Sequence, residues 1–394
     1  MRKISAKYIY TGKTVLKNGI VEVADDGSIV KVTDTGGKVT ESASLEYYNG
    51  VVVPGFINAH CHLELSHMKG AINNQSGRGL PGFIDEIISK RSFPDDLQER
   101  IHRADKEMQL NGIVAVGDIS NTDDTFTIKK GSSLYYHTFI ETFTVDNASS
   151  GASFEKAAAN HQQLQSYGLQ GSIVPHSSYS VPDALYKRLE DYKKNEVKIV
   201  SIHNQETPSE DEFITRQSGA LAEVLIKKGF RFSDFTFKAN NSIESSLMRQ
   251  NKNNNILLIH NTFSREEHID FAENFSDHIY WVFCPLSNLY IEKTVPDLPL
   301  FFRKGVKTCI GTDSYASNNE LNVLSELKTI ASRFPEIPFE KLVETACING
   351  AKALKIENRY GSIEPGKKPG INLIEGFDFE RMNLKESSKL KVLV

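Results

Sequence analysis

The chain is predicted to fold as an α/β protein, a (β/α)8 barrel of the TIM type, and three observations carry that expectation. Apolar strand-like runs recur eight times, at 51–57, 113–116, 135–140, 173–175, 199–202, 256–259, 280–283 and 308–310. Helical stretches separate them, and such alternation builds a parallel sheet that eight units suit for closure into a barrel. Almost every run then leads into an ionisable residue: His60 and His62, Asp118, Glu141, His176, His203, His260 and Asp313, while the seventh leads into Cys284, Pro285, Ser287 and Asn288. The carboxyl ends of barrel strands converge on one face, where active sites are built.

Before the first of these runs, residues 4–53 alternate apolar and polar side chains between Asp-Asp-Gly and Thr-Gly-Gly turns, which reads as a small unit of β-hairpins. The asparagine-rich stretch 251–255 reads as a loop, and 263–277 is one helix long. After the eighth run, 319–333 and 340–354 show helical apolar spacing. The turn residues of 360–367 then lead into a short strand at 371–374, and this tail is expected to rejoin the N-terminal β unit. No internal repeat or low-complexity tract points to a solenoid or a disordered arm.

A chain of 394 residues with 39% hydrophobic content can bury one large core beside a smaller one. Its 46 basic and 50 acidic residues leave a net charge of -4, so nothing in the balance calls for nucleic acid or a membrane surface, and a small molecule is the expected partner. The four cysteines stand singly, without a Cys-x-x-Cys pair, as reduced thiols would. The first residues lack a signal-peptide core, and no apolar run is long enough to span a bilayer, so the expected location is the cytoplasm.

His60 and His62 lie two apart at a strand end, which aims two imidazoles to one side while Cys61 points away. His203 and Asp313 complete a three-nitrogen, one-oxygen set that suits Zn2+ or Fe2+. Such an ion lowers the pKa of bound water from 15.7 to about 7, making hydroxide available as a nucleophile. Glu206, three residues past His203, is placed as general acid and base, and His260 is placed to polarise or hold the attacking oxygen. Segment 78–83 follows the first strand with glycines that permit movement, and its Leu80 and Phe83 are candidates to line or cover a substrate, as a lid would.

Taken together, Pro54-Gly55-Phe56-Ile57-Asn58-Ala59-His60-Cys61-His62, His203-x-x-Glu206, Leu257-Leu258-Ile259-His260-Asn261, Cys284-Pro285-Leu286-Ser287-Asn288 and the run from Gly311 to Asn318 resemble the amidohydrolase superfamily. The similarity extends over essentially the whole chain and is nearest the chlorohydrolase and aminohydrolase branch, which includes guanine, adenosylhomocysteine, methylthioadenosine and aminofutalosine deaminases and triazine hydrolases. The resemblance implies metal ligands His60, His62, His203 and Asp313, with Glu206, His260 and Asp313 sharing the proton transfers. It implies a barrel over 54–354 and a composite β-sandwich from 1–53 and 355–394. That sandwich is expected to be reduced, because Lys368-Pro369-Gly370-Ile371 departs from the usual Lys-Ala-Asp-Leu and the tail is short. The fourth run ends at His176 without the carboxylated lysine of two-metal relatives, so one divalent ion per subunit is implied, Zn2+ before Fe2+.

By the same resemblance His176 contacts substrate, and Ser287 and Asn288 hydrogen-bond near the site or fix the seventh loop. Glu64 and His67 either hold substrate or brace the site. A homodimer is the family expectation. The implied activity is hydrolytic deamination of an aminopurine or nucleoside-like heterocycle through a metal-bound hydroxide, and Asn58-Ala59-His60-Cys61-His62-Leu63-Glu64-Leu65-Ser66-His67 is similar to aminofutalosine-type deaminases. The alternatives are hydrolysis of a cyclic amide or a halogenated triazine, and an inactive binding barrel, which the intact ligand set disfavours. A zinc protease would need His-Glu-x-x-His, and a cytidine deaminase Pro-Cys-x-x-Cys; neither is present.

Overall fold

The computed structural model describes residues 1–40, 44–73, 77–237 and 239–394. Five strands open the chain: β1 (Arg2–Tyr10), β2 (Val15–Lys17), β3 (Ile20–Val23), β4 (Ile29–Thr33) and β5 (Leu45–Pro54). Their period-two alternation puts Ile4, Val21, Val23, Ile29 and Val52 into one buried cluster with Ile363, Ile371 and Leu373 from the far end of the chain.

Eight further strands carry the middle: β6 (Phe56–Cys61), β7 (Ile113–Ser120), β8 (Tyr135–Thr142), β9 (Gln170–Pro175), β10 (Ile199–Asn204), β11 (Asn255–His260), β12 (Ile279–Phe283) and β13 (Thr308–Ile310). They make two four-stranded parallel sheets, β6-β7-β8-β9 and β10-β11-β12-β13. Each of β6, β10, β11 and β12 is buried along its whole length, as parallel strands covered on both faces are. Isolated parallel bridges join the two sheets at both edges, Ser177 with His203 and Cys61 with Asp313. Finally β14 (Ile371–Glu375) and β15 (Lys389–Val392) return to the first sheet, whose order is β15-β14-β5-β1-β3-β4 with β2 against β1. Strands from both termini thus share one seven-stranded sheet.

The run 51–57 behaves as two strands rather than one. β5 ends at Pro54 in the terminal sheet and β6 begins at Phe56 in the middle one. A Cβ at Gly55, between them, would stand 2.4 Å from Val114 Cγ1 and 2.6 Å from the Pro369 carbonyl, so a side chain cannot pass this crossing. The helical stretch 340–354 is likewise divided, into Phe339–Ala346 and Ile348–Ala353, where Cys347 leaves helical geometry. Helix Val323–Arg333 starts later than its apolar spacing suggests, because Asn322 caps it by accepting from Ser325 N. All four cysteines are free and buried. Among the described residues no helix is long and apolar enough to cross a membrane.

Candidate active site

At the end of β6, His60 and His62 turn their rings to the same side, while Cys61 packs into the core with Phe56 and Leu63. The two Nε2 atoms are 3.2 Å apart. Asp313 Oδ1 lies 3.8 Å from His60 Nε2 and 3.6 Å from His62 Nε2. The His203 ring, at the end of β10, is centred 5.0 Å from that of His60 and 5.5 Å from that of His62. One ring nitrogen from each of the three histidines lies within 4.8 Å of the others.

The backbone makes this approach possible. Thr312 N and Asp313 N both donate to the His60 carbonyl, at 3.0 and 3.1 Å. A Cβ at Gly311 would come within 2.8 Å of His60 Cβ and 3.0 Å of Cys284 Sγ, so a glycine lets the eighth strand close on the first. Gln205, His260, Asn261 and Asp313 all adopt left-handed φ, between 46° and 73°. Non-glycine residues hold that conformation only where their surroundings over-determine it, as at functional sites.

Burial, reinforced by neighbouring imidazoles, keeps His60 well below the usual histidine pKa. Burial also lowers His62 to about 3, against the pull of Asp313, and lowers His203 together with His176. Burial disfavours ionised Asp313, but His62, His260 and the hydroxyls of Ser287 and Ser317 more than offset it and hold the carboxyl below the ordinary aspartate range. Neutral imidazoles with available lone pairs beside an ionised carboxylate are the donor set of a catalytic Zn2+ site, so these four side chains fit a divalent metal.

Glu206 follows β10 in a loop held by Glu210, whose Oε1 accepts from Glu206 N at 2.7 Å and which closes a capping box with Thr207. Glu206 is buried, and burial, then the charges of Asp313, Glu210 and Glu292, push its carboxyl well above the usual glutamate range. Its Oε1 is 3.6 Å from His260 Nε2. The Asn288 amide donates to His260 Nδ1 at 3.3 Å, which leaves the ring proton on Nε2, facing Glu206. Ser287 Oγ and Ser317 Oγ donate to Asp313 Oδ2 at 2.6 and 2.7 Å.

A second close trio, Glu141, His176 and His203, shares the third histidine. Here His203 Nδ1 faces Glu141 Oε1 at 3.4 Å and the His176 carbonyl at 3.1 Å. Its proton therefore sits on Nδ1 and its lone pair on Nε2, so the His176 carbonyl orients the ring with the Glu141 carboxyl beside it. The His176 ring stacks on His203 at 4.6 Å, with burial lowering its pKa to about 4. Asp118 has a different place: it is fully buried, 2.6 Å from Lys129 Nζ, and accepts from Leu63 N at 2.7 Å.

The first-loop residues spread over different tasks. Glu64 is buried, 3.0 Å from Arg91 Nη2, and accepts from Asn121 N at 2.8 Å. His67 is also buried, with its ring beside the Glu64 backbone and the Arg91 guanidinium. Leu80 and Phe83 pack with Leu65, Met68, Ile72, Ile291 and Ala316. Segment 78–83, read as a glycine loop, opens the helix Gly79–Lys90 instead, and Leu80 N donates to Glu292 Oε1 at 2.7 Å. Ser287 and Asn288 are wholly buried against Asp313 and His260. Sequence reasoning missed Ser317, Asn121, Arg91 and Glu292; Glu210 was within reach through the spacing Thr207-x-x-Glu210. A cavity of about 820 Å3 opens elsewhere, between helices Asp183–Asp191 and Ser242–Leu247, and none of the expected site residues lines it.

Residues 51–392 match the amidohydrolase family, a span that includes every one of these side chains. The chain belongs to that family. This amidohydrolase is 28% identical over 388 residues to the aminodeoxyfutalosine deaminase of a Nitratiruptor species, covering 95% of this chain and 91% of the relative. Its fold is that of Helicobacter pylori aminofutalosine deaminase in complex with methylthio-coformycin, with a TM-score of 0.79, 21% identity, and coverage of 96% of this chain and 93% of that one. An adenosine deaminase from Xanthomonas campestris with bound zinc superimposes with a TM-score of 0.68 at 21% identity, covering 95% and 84%.

Proposed function

We propose that this amidohydrolase hydrolytically deaminates an aminopurine or nucleoside-like heterocycle, with aminofutalosine-type compounds among the candidates. The observation that carries the reading is the convergence of Glu206, His260 and Asp313 on the histidine trio, with Glu206 Oε1 only 3.6 Å from the protonated nitrogen of His260. The deaminase relatives support it.

We assign one divalent ion, Zn2+ before Fe2+, to His60, His62, His203 and Asp313. When bound, it supplies a nucleophile at neutral pH by lowering the pKa of water from 15.7 to about 7. With a bound cation's charge offsetting its burial, the Glu206 carboxylate would take a proton from the attacking water and deliver it to the ring nitrogen beside the reacting carbon. His260 Nε2–H holds the oxygen as its bond to that carbon forms. Asp313 accepts the second proton and passes it to the leaving amine, so that C–NH2 and water become C=O and ammonia. Ser287 and Asn288 keep Asp313 and His260 oriented, the His176 carbonyl does the same for His203, and Glu64 braces the first loop. His176 and the wall behind Leu80 and Phe83 bound the substrate space, with His67 at its edge.

In this reading the two parallel sheets close through the bridges at Cys61–Asp313 and Ser177–His203 into a (β/α)8 barrel over 54–354. The terminal strands of 1–53 and 355–394 form a composite sandwich beside it, and the enzyme acts in the cytoplasm as a homodimer. The test is ammonia release by Zn2+- or Fe2+-loaded protein from aminopurines, adenosine derivatives, pterins and cytosine. Release from a purine substrate that Glu206→Gln abolishes is the expected result. Silence across the panel from protein holding about one metal per chain overturns it in favour of amide or halide hydrolysis.

A further inference from the structure

Between His203 and Glu206 stands Gln205, a residue that the proposed chemistry leaves unused. Side chains alternate along an extended strand, so His203 and Glu206, three residues apart at the end of β10, would point to opposite sides. The left-handed turn at Gln205, with φ of 46°, breaks that alternation and leaves Glu206 Oε1 only 3.6 Å from His260 Nε2. A residue with a Cβ holds such a turn only under restraint, and Gln205 is restrained at every polar atom it has. Its N–H donates to Glu210 Oε2 at 2.9 Å, and its carbonyl accepts from Phe263 N at 3.0 Å. Its amide oxygen accepts from Ser264 Oγ at 2.5 Å, and its amide nitrogen donates to His268 Nδ1 at 2.8 Å. Gln205, Ser264 and His268 are all buried.

The backbone settles which way these groups point. Arg265 N also donates to His268 Nδ1, at 3.1 Å, in the capping box that opens helix Glu266–Phe275. That nitrogen is therefore an acceptor, which sets the NH2 of Gln205 towards the ring and its oxygen towards Ser264. Asn204 adds to the same seam: its carbonyl accepts from Asn261 N and its amide donates to Asn261 Oδ1, each at 3.0 Å. The segment on the far side of the seam begins with His260, and His260 and Asn261 are left-handed too, with φ of 73° and 55°. The seam thus ties the turn that carries Glu206 to the turn that carries His260.

We propose that Gln205, Ser264 and His268 are positioning residues for proton transfer, a buried seam that fixes the Glu206 carboxyl against His260. The inference rests on the deaminase reading above. The seam acts on the distance and direction of the Glu206 carboxyl, which must be right when the proton moves and matter little when substrate first binds. Its loss is therefore felt in kcat and kcat/KM together, with KM held.

The test pairs His268→Ala with His268→Asn, whose side-chain oxygen can take the place of Nδ1 as acceptor for the Gln205 amide. His268→Ala is expected to lower kcat for purine deamination about tenfold with KM within about twofold and metal content unchanged, and His268→Asn to recover most of the loss. Hydrogen exchange read by mass spectrometry follows the seam without turnover. Peptides covering 204–207 and 261–264 are expected to exchange faster in His268→Ala and to regain protection in His268→Asn. Should His268→Ala not fold, Ser264→Ala removes a single bond to the same amide and is expected to give a smaller change in the same direction. Unchanged exchange, an unchanged kcat despite faster exchange, a fall in kcat that tracks lost metal, or no recovery in His268→Asn overturns the proposal. Exchange that responds as expected in a protein that releases ammonia from no purine leaves the seam standing and overturns the deaminase reading.

Discussion

Ser287 is a side chain that never meets solvent yet bears on the proposed chemistry. Its Oγ donates to Asp313 Oδ2 at 2.6 Å beside a second hydroxyl from Ser317. A hydrogen bond to a charged group is worth about 1.5–3 kcal/mol, and Ser317 remains to share the load. Ser287→Ala is therefore expected to lower kcat/KM about tenfold with metal content unchanged, as measured by steady-state kinetics and metal analysis on the same preparation. His137 offers a test of a different sort, away from the site. Burial lowers its pKa from 6.5 to about 3, with His161 and Lys129 adding to the effect, and its Nε2 meets only Ser172 Oγ. The unfolded chain thus binds a proton at this residue below about pH 6.5 that the folded chain refuses, so stability falls with pH from there toward about 3. Urea unfolding of His137→Gln at about pH 7 and pH 5.5 should show a stability loss smaller than that of the unaltered protein by about 1 kcal/mol.

Helix Pro285–Glu292 organises more of the site than any other helix. Proline starts it at its first position, where a missing N–H costs nothing, and Ser287, Asn288 and Glu292 then reach Asp313, His260 and Leu80 N in turn. Glu326 fastens it from behind, accepting from Leu286 N and Asn318 Nδ2, each at 2.9 Å. The junction of β6 with the turn after β13 is just as demanding. Because the Gly311 position faces His60 Cβ and Cys284 Sγ at or below 3.0 Å, Gly311→Ala forces Asp313 away from His60. Overpacking of this kind costs about 1–3 kcal/mol, and the variant should show that loss in denaturant melts together with weaker metal retention on dialysis. Wild-type retention in the variant would mean that the junction yields freely.

For the molecule as a whole, the proposed ligand set joins distant parts of the chain: His60 on β6 and His62 just past it, His203 on β10 and Asp313 after β13. A metal held by all four cross-links both four-stranded sheets, and a ligand that binds the folded state alone stabilises it by about 4 kcal/mol at a thousandfold excess over Kd. Chelation should accordingly lower Tm, and returned Zn2+ should restore it; a Tm indifferent to both would separate the histidine trio from metal binding. Much of this was legible in the linear chain. Strand periodicity, the His-x-His spacing and the ionisable residue at each strand end are local properties, and local sterics impose them wherever the segment sits. Hence the eight apolar runs, His60 with His62, and His203 followed by Glu206 could all be read directly. The partners could not. Glu64 meets Arg91, Leu80 N meets Glu292, and Asn58 meets Thr312, across separations of 27, 212 and 254 residues. No periodicity encodes such pairings. They exist because folding removes water from these groups and leaves each to find its hydrogen bond in whatever the packed elements bring near, and that same packing split the run 51–57 at Gly55 and made a helix of the segment 78–83.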